Sequence, residues 1–198
     1  MAKHPKRSIC IFTGSRPGAS PDYAKAAIEL ARELVKRGLG LVYGGGNVGL
    51  MNIIANTALQ DGGYVIGVIP DALVSKEVAH AGLSELRVVQ SMHQRKALMA
   101  ELSAGFMALP GGIGTMEEFF EVLSWAQLGL HNKPCGLLNV DGYYDSLIEF
   151  LDCAVAEDFV KEKDRALLIV ENEVAKLVDR FEAEIAVSAK RKFEPFIT

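Results

Sequence analysis

The feature that most constrains this chain is an alternation. Short, almost wholly apolar runs end in glycine-rich turns, and most are followed by a segment whose apolar residues recur every three or four positions. The first run, Ser8, Ile9, Cys10, Ile11, Phe12 and Thr13, has no polar face and ends at Gly14. A strand of that kind belongs in a parallel sheet covered on both sides. A helix follows: Ser20 can cap it, Pro21 suits its first position, and Ala24, Ala27, Ile28, Ala31, Leu34 and Val35 keep a helical period until Gly38. The same reading gives strands over 39–43, 64–69, 85–90, 105–109, 135–140 and 167–170, and helices over 48–59, 92–103, 116–128, 143–156 and 173–186. Strands and helices alternating over short connections run parallel, so the expected fold is α/β, a single doubly wound parallel sheet with helices on both faces. That domain is expected to span residues 1–186, with 187–198 a loosely held tail.

Composition narrows the partners. The 198 residues are 49% apolar and 23% charged, enough for one real core. Lys plus Arg number 21 against 25 Asp plus Glu, a formal charge of -4, with no basic run to neutralise a phosphate backbone. No nucleic-acid partner is expected. Lys3, His4, Lys6 and Arg7 precede an apolar stretch, Ile9 to Phe12, too brief for a signal core and far below the roughly 20 residues of a membrane span. The chain is therefore expected to be cytoplasmic and without membrane association. Cys10, Cys135 and Cys153 form no CxxC pair, and His4, His80, His93 and His131 show no ligand spacing, so neither disulfides nor a metal site are expected.

In a doubly wound sheet, ligands bind beyond the carboxyl ends of the strands, where helix N-termini gather unpaired amides. Three turns there are glycine-rich: Thr13 to Gly18, Tyr43 to Gly49, and Leu109 to Thr115. The second satisfies G-x-G-x-x-G through Gly44, Gly46 and Gly49, but Asp61 and Asp71 are poorly placed for the acidic ribose ligand of a dinucleotide site. Its glycines either permit a tight turn alone or join a nucleotide site built from several turns. The third, Pro110-Gly111-Gly112-Ile113-Gly114-Thr115-Met116-Glu117-Glu118, offers amides and a hydroxyl to an anion. Thr115 and Glu118 equally spell a T-x-x-E capping box, which would leave Glu118 a structural task only. Glu117 and Glu121 share a helical face, whereas Glu117 and Glu118 stand about 100° apart. On the 92–103 helix, Met92, Arg95, Lys96 and Met99 share a face. That basic pair is either a solvated surface or the contact for an anionic ligand.

These motifs together resemble the LOG ("Lonely guy") family of cytokinin riboside 5'-monophosphate phosphoribohydrolases, whose signature is PGGxGTxxE. The resemblance covers about 9–181 and includes Tyr43-Gly44-Gly45-Gly46 with Gly49-Leu50-Met51, Met92 to Lys96, Pro110 to Glu118, Trp125 to Gly129, Lys133-Pro134 and Asp141 to Tyr144. It implies a Rossmann-like fold, a homodimer, and a catalytic pair at Arg95 and Glu118. The substrate-binding positions it implies are Gly14, Ser15, Gly45, Gly46, Glu77, Met92, Arg95, Lys96, Gly111, Gly112, Ile113, Gly114, Thr115, Met116, Glu117 and Ser124. The first turn departs from the family's usual Cys-Gly-Ser-Ser in having Thr13 and Arg16. Relatives of this kind have carried the label lysine decarboxylase, but no lysine here lies in a pyridoxal phosphate motif, and no cofactor is expected.

The implied reaction is hydrolysis of the N-glycosidic bond of an adenosine 5'-monophosphate-type nucleotide, giving free base and ribose 5-phosphate. A second reading is a non-catalytic nucleotide-binding or cofactor-carrier protein on the same fold. A third, a nicotinamide-dependent oxidoreductase, rests on the second turn alone.

Overall fold

The computed structural model describes residues 4–74 and 79–188. Seven strands form one parallel sheet in the order β4-β3-β2-β1-β5-β6-β7. They are β1 (Ser8–Phe12), β2 (Gly40–Tyr43), β3 (Val65–Pro70), β4 (Glu85–Val89), β5 (Phe106–Ala108), β6 (Cys135–Leu138) and β7 (Leu168–Glu171). The helices are α1 (Pro21–Lys36), α2 (Gly49–Gln60), α3 (Asp71–Val74), α4 (Met92–Glu101), α5 (Ile113–Gln127), α6 (Asp145–Ala156), α7 (Glu162–Arg165) and α8 (Val174–Ser188). The expected α/β class and doubly wound sheet are what the structure shows.

Alternate residues of the central strands serve two cores. Ile9 and Ile11 of β1, with Leu41 and Tyr43 of β2, pack with α1, α2 and α8. Cys10, Phe12 and Val42 pack on the opposite face with Met99 of α4, Phe119 and Val122 of α5, and Leu151 of α6. Apolar residues in both phases of the pleat are what made these runs continuous in sequence. β4 lies at the edge and is largely exposed, carrying a Glu85–Arg87 ion pair that blunts it.

Strand order reverses at β1. Successive strands β1 to β4 build outward on one side, and β5 returns to pair with β1 on the other, with Cys10, Ile11 and Phe12 opposite Phe106, Met107 and Ala108. The turns after β1 and β5 therefore face each other at the carboxyl edge, the topological switch where ligands bind in open sheets.

Two boundaries and two short helices differ from the expectation in ways that matter. α5 starts at Ile113, not 116, because Gly112 takes the extended N-cap conformation with φ −95° and ψ −154°. The four-residue helices α3 and α7 are too short to show a period. α8 continues through Ser188, so residues 187 and 188 belong to the helix and not to a tail.

Candidate active site

The first and third glycine turns are bonded backbone to backbone. The Gly14 N–H donates to Pro110 O at 3.1 Å, and the Thr13 hydroxyl leans on the same carbonyl at 3.4 Å. Tyr143 Oη donates to Gly111 O and Tyr144 Oη to Leu109 O, both at 2.6 Å, so the Tyr143-Tyr144 pair after β6 braces the third turn from behind. The Leu50 N–H of α2 donates to Gly14 O at 3.1 Å, and Gly49, at φ +53°, lies against the Ser15–Arg16 backbone. The first turn thus occupies the N-terminus of α2, where a dinucleotide fingerprint would hold its pyrophosphate.

α5 carries the third turn into the site. Its N-cap, Gly112, supplies no side-chain hydrogen bond, so the first-turn amides have no capping side chain. Gly112, Ile113 and Gly114 are exposed, and Ile113 is 91% so, while Thr115 is buried beneath Gly111. Because Thr115 is the third residue of the helix and not its cap, the T-x-x-E capping box does not form. Glu118, one turn further on, instead meets Arg95 of α4, with Oε1 3.5 Å from Nη1.

Arg95 is the best-fixed charge of the region. Ser91 caps α4 by accepting from the Gln94 N–H at 3.2 Å, and Gln94 Oε1 reaches back to the Gln90 N–H at 2.9 Å. That sets the helix so that Arg95 points inward, only 5% exposed. Its Nε donates to Val68 O at 3.1 Å, its Nη2 to Gly44 O at 3.2 Å, and its Nη1 lies 3.7 Å from Met92 Sδ. A solvated basic surface is therefore not what Arg95 provides.

Lys96 behaves otherwise. Its Nζ bridges Glu117 Oε1 at 2.5 Å and Glu121 Oε1 at 3.0 Å, joining α4 to α5 alongside the Arg95–Glu118 pair. Burial alone would lower its pKa, but its hydrogen bonds to Glu117 and Glu121 outweigh that and hold the ammonium above its ordinary value.

A cleft of about 290 Å³ brings together Thr13, Ser15, Met92, Arg95, Gly112, Ile113, Gly114, Thr115, Glu117 and Glu118, with Met51 of α2 and Leu73 of α3. A second cleft of about 330 Å³ lies across the Ser15–Gly112 ridge, lined by Gly14, Arg16, Tyr23, Gly111 and Tyr143 among others. Gly45 and Gly46 are buried and line neither. Met116 is half-buried and packs in the core beneath α5. Ser124 lies farther along α5, on a separate groove with Gln127, Leu151 and Val160. Glu77 lies outside the described residues. Sequence reasoning missed Thr13 as a lining residue, along with Met51, Leu73 and the bracing role of Tyr143. Met51 and Tyr143 stood within quoted motifs, whereas Leu73 carried no signal.

Against this geometry, the comparisons with known proteins are specific. A family model described as "possible lysine decarboxylase" matches residues 51–181. The cytokinin riboside 5'-monophosphate phosphoribohydrolase LOG of Oryza sativa subsp. japonica is 49% identical over 176 residues, 89% of this chain and 73% of that protein. LOG3 of Arabidopsis thaliana is 48% identical over 182 residues, 92% of this chain and 85% of its own. The chain belongs to the LOG family of phosphoribohydrolases. As a LOG-family chain it is a hydrolase, and the lysine decarboxylase description of the family model does not name its chemistry. Among solved structures, the molybdenum cofactor carrier protein of Chlamydomonas reinhardtii superposes with a TM-score of 0.70 at 22% identity, covering 91% of this chain and 99% of that one. At that identity the likeness is one of fold. Among the described residues no helix is long and apolar enough to cross a membrane.

Proposed function

We propose that this phosphoribohydrolase cleaves the N-glycosidic bond of adenosine 5'-monophosphate-type nucleotides, cytokinin riboside 5'-monophosphates and AMP among them, to free base and ribose 5-phosphate. One observation carries the reading: a bare glycine turn at a helix N-terminus runs directly into Glu118, which shares its cleft with a buried arginine from a different helix. At about 290 Å³ the cleft is near the lower end of small-molecule sites, about 300 Å³.

In this reading the Gly112, Ile113, Gly114 and Thr115 amides, with the Thr115 and Ser15 hydroxyls, hold the 5'-phosphate. Binding energy from the phosphate then positions the sugar carbon over Glu118. As the bond from that carbon to the base breaks, its electrons leave with the base and positive charge grows on the sugar. The Glu118 carboxylate opposes that charge and orients the water that adds to the carbon, while a proton ends on the departing base. Arg95 holds Glu118 in place and offers donors to ribose hydroxyls. Lys96 keeps α4 and α5 in register from one side. The enzyme works as a homodimer, the assembly that the family resemblance implies. In it Glu77 and Ser124 complete a substrate site within one chain or across the interface.

Glu118→Gln preserves shape and removes the charge. Turnover on AMP or isopentenyladenosine monophosphate is expected to fall by two or more decades, about 3 kcal/mol of barrier, with the fold intact. Near-normal hydrolysis by that variant contradicts the assignment.

A further inference from the structure

The second glycine turn lines neither cleft, and the helix end behind it is occupied by the Gly14 carbonyl. Its glycines nevertheless divide sharply. Gly45 and Gly49 have φ of +77° and +53°, conformations that side chains rarely adopt, and a Cβ on Gly45 would stand 3.2 Å from Ile69 Cβ and 3.4 Å from Val68 N. Those two glycines are explained by the path of the backbone. Gly44 has no positive φ to explain it. A Cβ there would overlap Nη2 of Arg95, with Cζ at 3.1 Å and Nε at 3.6 Å, and these three nearest atoms all belong to Arg95.

We infer that Gly44 is a positioning residue for catalysis: its bare α-carbon and its carbonyl form the seat that holds Arg95 toward Glu118. The inference rests on the role proposed above for Arg95. Nε is bonded to Val68 O of β3 and Nη2 to Gly44 O beyond β2, while Nη1, beside Met92 Sδ, faces Glu118. The left-handed turn at Gly45 folds the chain beside β3, since a Cβ on Gly67 would come within 2.8 Å of the Gly45 α-carbon. One carbonyl from β3 and one just beyond β2 thereby converge on one cation. A buried guanidinium with two of its nitrogens committed to backbone has little freedom left, so Nη1 is aimed by the sheet and not by the arginine's own rotamers. The G-x-G-x-x-G spacing here serves an arginine where its usual office is a pyrophosphate.

The test is a double-mutant cycle on the full chain: wild type, Gly44→Ala, Arg95→Lys and the double variant, each measured for kcat, KM and melting temperature with AMP or isopentenyladenosine monophosphate. If Gly44 acts through Arg95, Gly44→Ala lowers kcat at least tenfold with KM changed less than threefold. In the Arg95→Lys background, where the forked Nη2 is gone, the same change alters kcat less than twofold, and the double variant melts no lower than Gly44→Ala alone. Equal losses in both backgrounds, or no loss in either, overturn the inference. Should wild type release no base, the proposed reaction fails separately. The cycle is then read from AMP binding by calorimetry, where the same conditional loss supports the seat and its absence overturns it.

Discussion

Gly111 has no room for a side chain, because a Cβ there would overlap Thr115 Oγ1 and stand 2.9 Å from the Gly14 nitrogen. Gly112 and Gly114 meet nothing within 4 Å and neither has a positive φ. No side chain crowds either position, and at Gly114, inside the first turn of α5, an alanine favours the helix by up to about 1 kcal/mol over glycine. What the bare turn gains is close approach of a ligand to its amides. Gly114→Ala is therefore expected to keep or raise the melting temperature while raising KM for the nucleotide about tenfold, about 1.4 kcal/mol of binding. Gly111→Ala is expected to lower the melting temperature. Thermal melts alongside saturation kinetics separate the two classes, and a destabilised Gly114→Ala protein with normal KM would reverse the distinction. The sequence showed that these glycines cluster, but not which serve packing and which the ligand, because that depends on what stands opposite each one across the switch. Spacing alone left Glu118 either half of a capping box or an acid beside a phosphate turn, and only the family resemblance paired it with Arg95. That partner comes from α4, which the order of strands brings alongside and no local spacing reveals.

The strands and long helices were legible because their cores impose a period. Ile9 and Ile11 face one layer and Cys10 and Phe12 the other, so β1 reads as buried on both sides. Helix starts were harder. The cap of α5 is Gly112, which has no side chain to announce it, and the T-x-x-E pattern three residues later offered a false beginning. At α4 the Ser91 cap and the Gln94 back-bond are both formed, and they fix the inward aim of Arg95. The connection from α5 to β6 carries its own pH sensitivity. His131 donates from Nε2 to Val122 O at 2.9 Å and accepts the Lys133 N–H on Nδ1 at 3.1 Å, so it is held neutral. Burial, with Lys133 nearby and against the help of the Val122 carbonyl, depresses its pKa to about 4. A histidine depressed below its ordinary 6.5 binds fewer protons folded than unfolded. Its contribution is thus complete above pH 6.5 and is lost as pH falls from there toward 4. Melting temperatures taken between pH 7 and 4.5 should fall more steeply for the wild type than for His131→Gln, whose amide can keep the bond to Val122 O without titrating. Parallel curves for the two proteins would remove His131 as the source.

At the scale of the whole molecule, one parallel sheet does the assembling. The reversal at β1 sets the first and third turns face to face, and α4, entering from the far edge, brings Arg95 beneath them on the same face as α5. The same architecture, at 22% identity, serves a molybdenum cofactor carrier, so the fold by itself does not choose between holding a ligand and cleaving it. What distinguishes this chain is the acid and arginine at the end of the glycine turn, together with near 50% identity to phosphoribohydrolases along most of its length. Composition and charge bore only on which partners to expect, and the expected tail beyond 188 lies outside the described residues. The decisive measurement is a product-resolved assay of the wild-type protein with isopentenyladenosine monophosphate and with AMP, following base, nucleoside, ribose 5-phosphate and inorganic phosphate together. Free base and ribose 5-phosphate should appear in equal amounts, with no nucleoside. Nucleotide bound but recovered intact, or nucleoside released with inorganic phosphate, would contradict a site in which Glu118 and Arg95 break the bond between sugar and base.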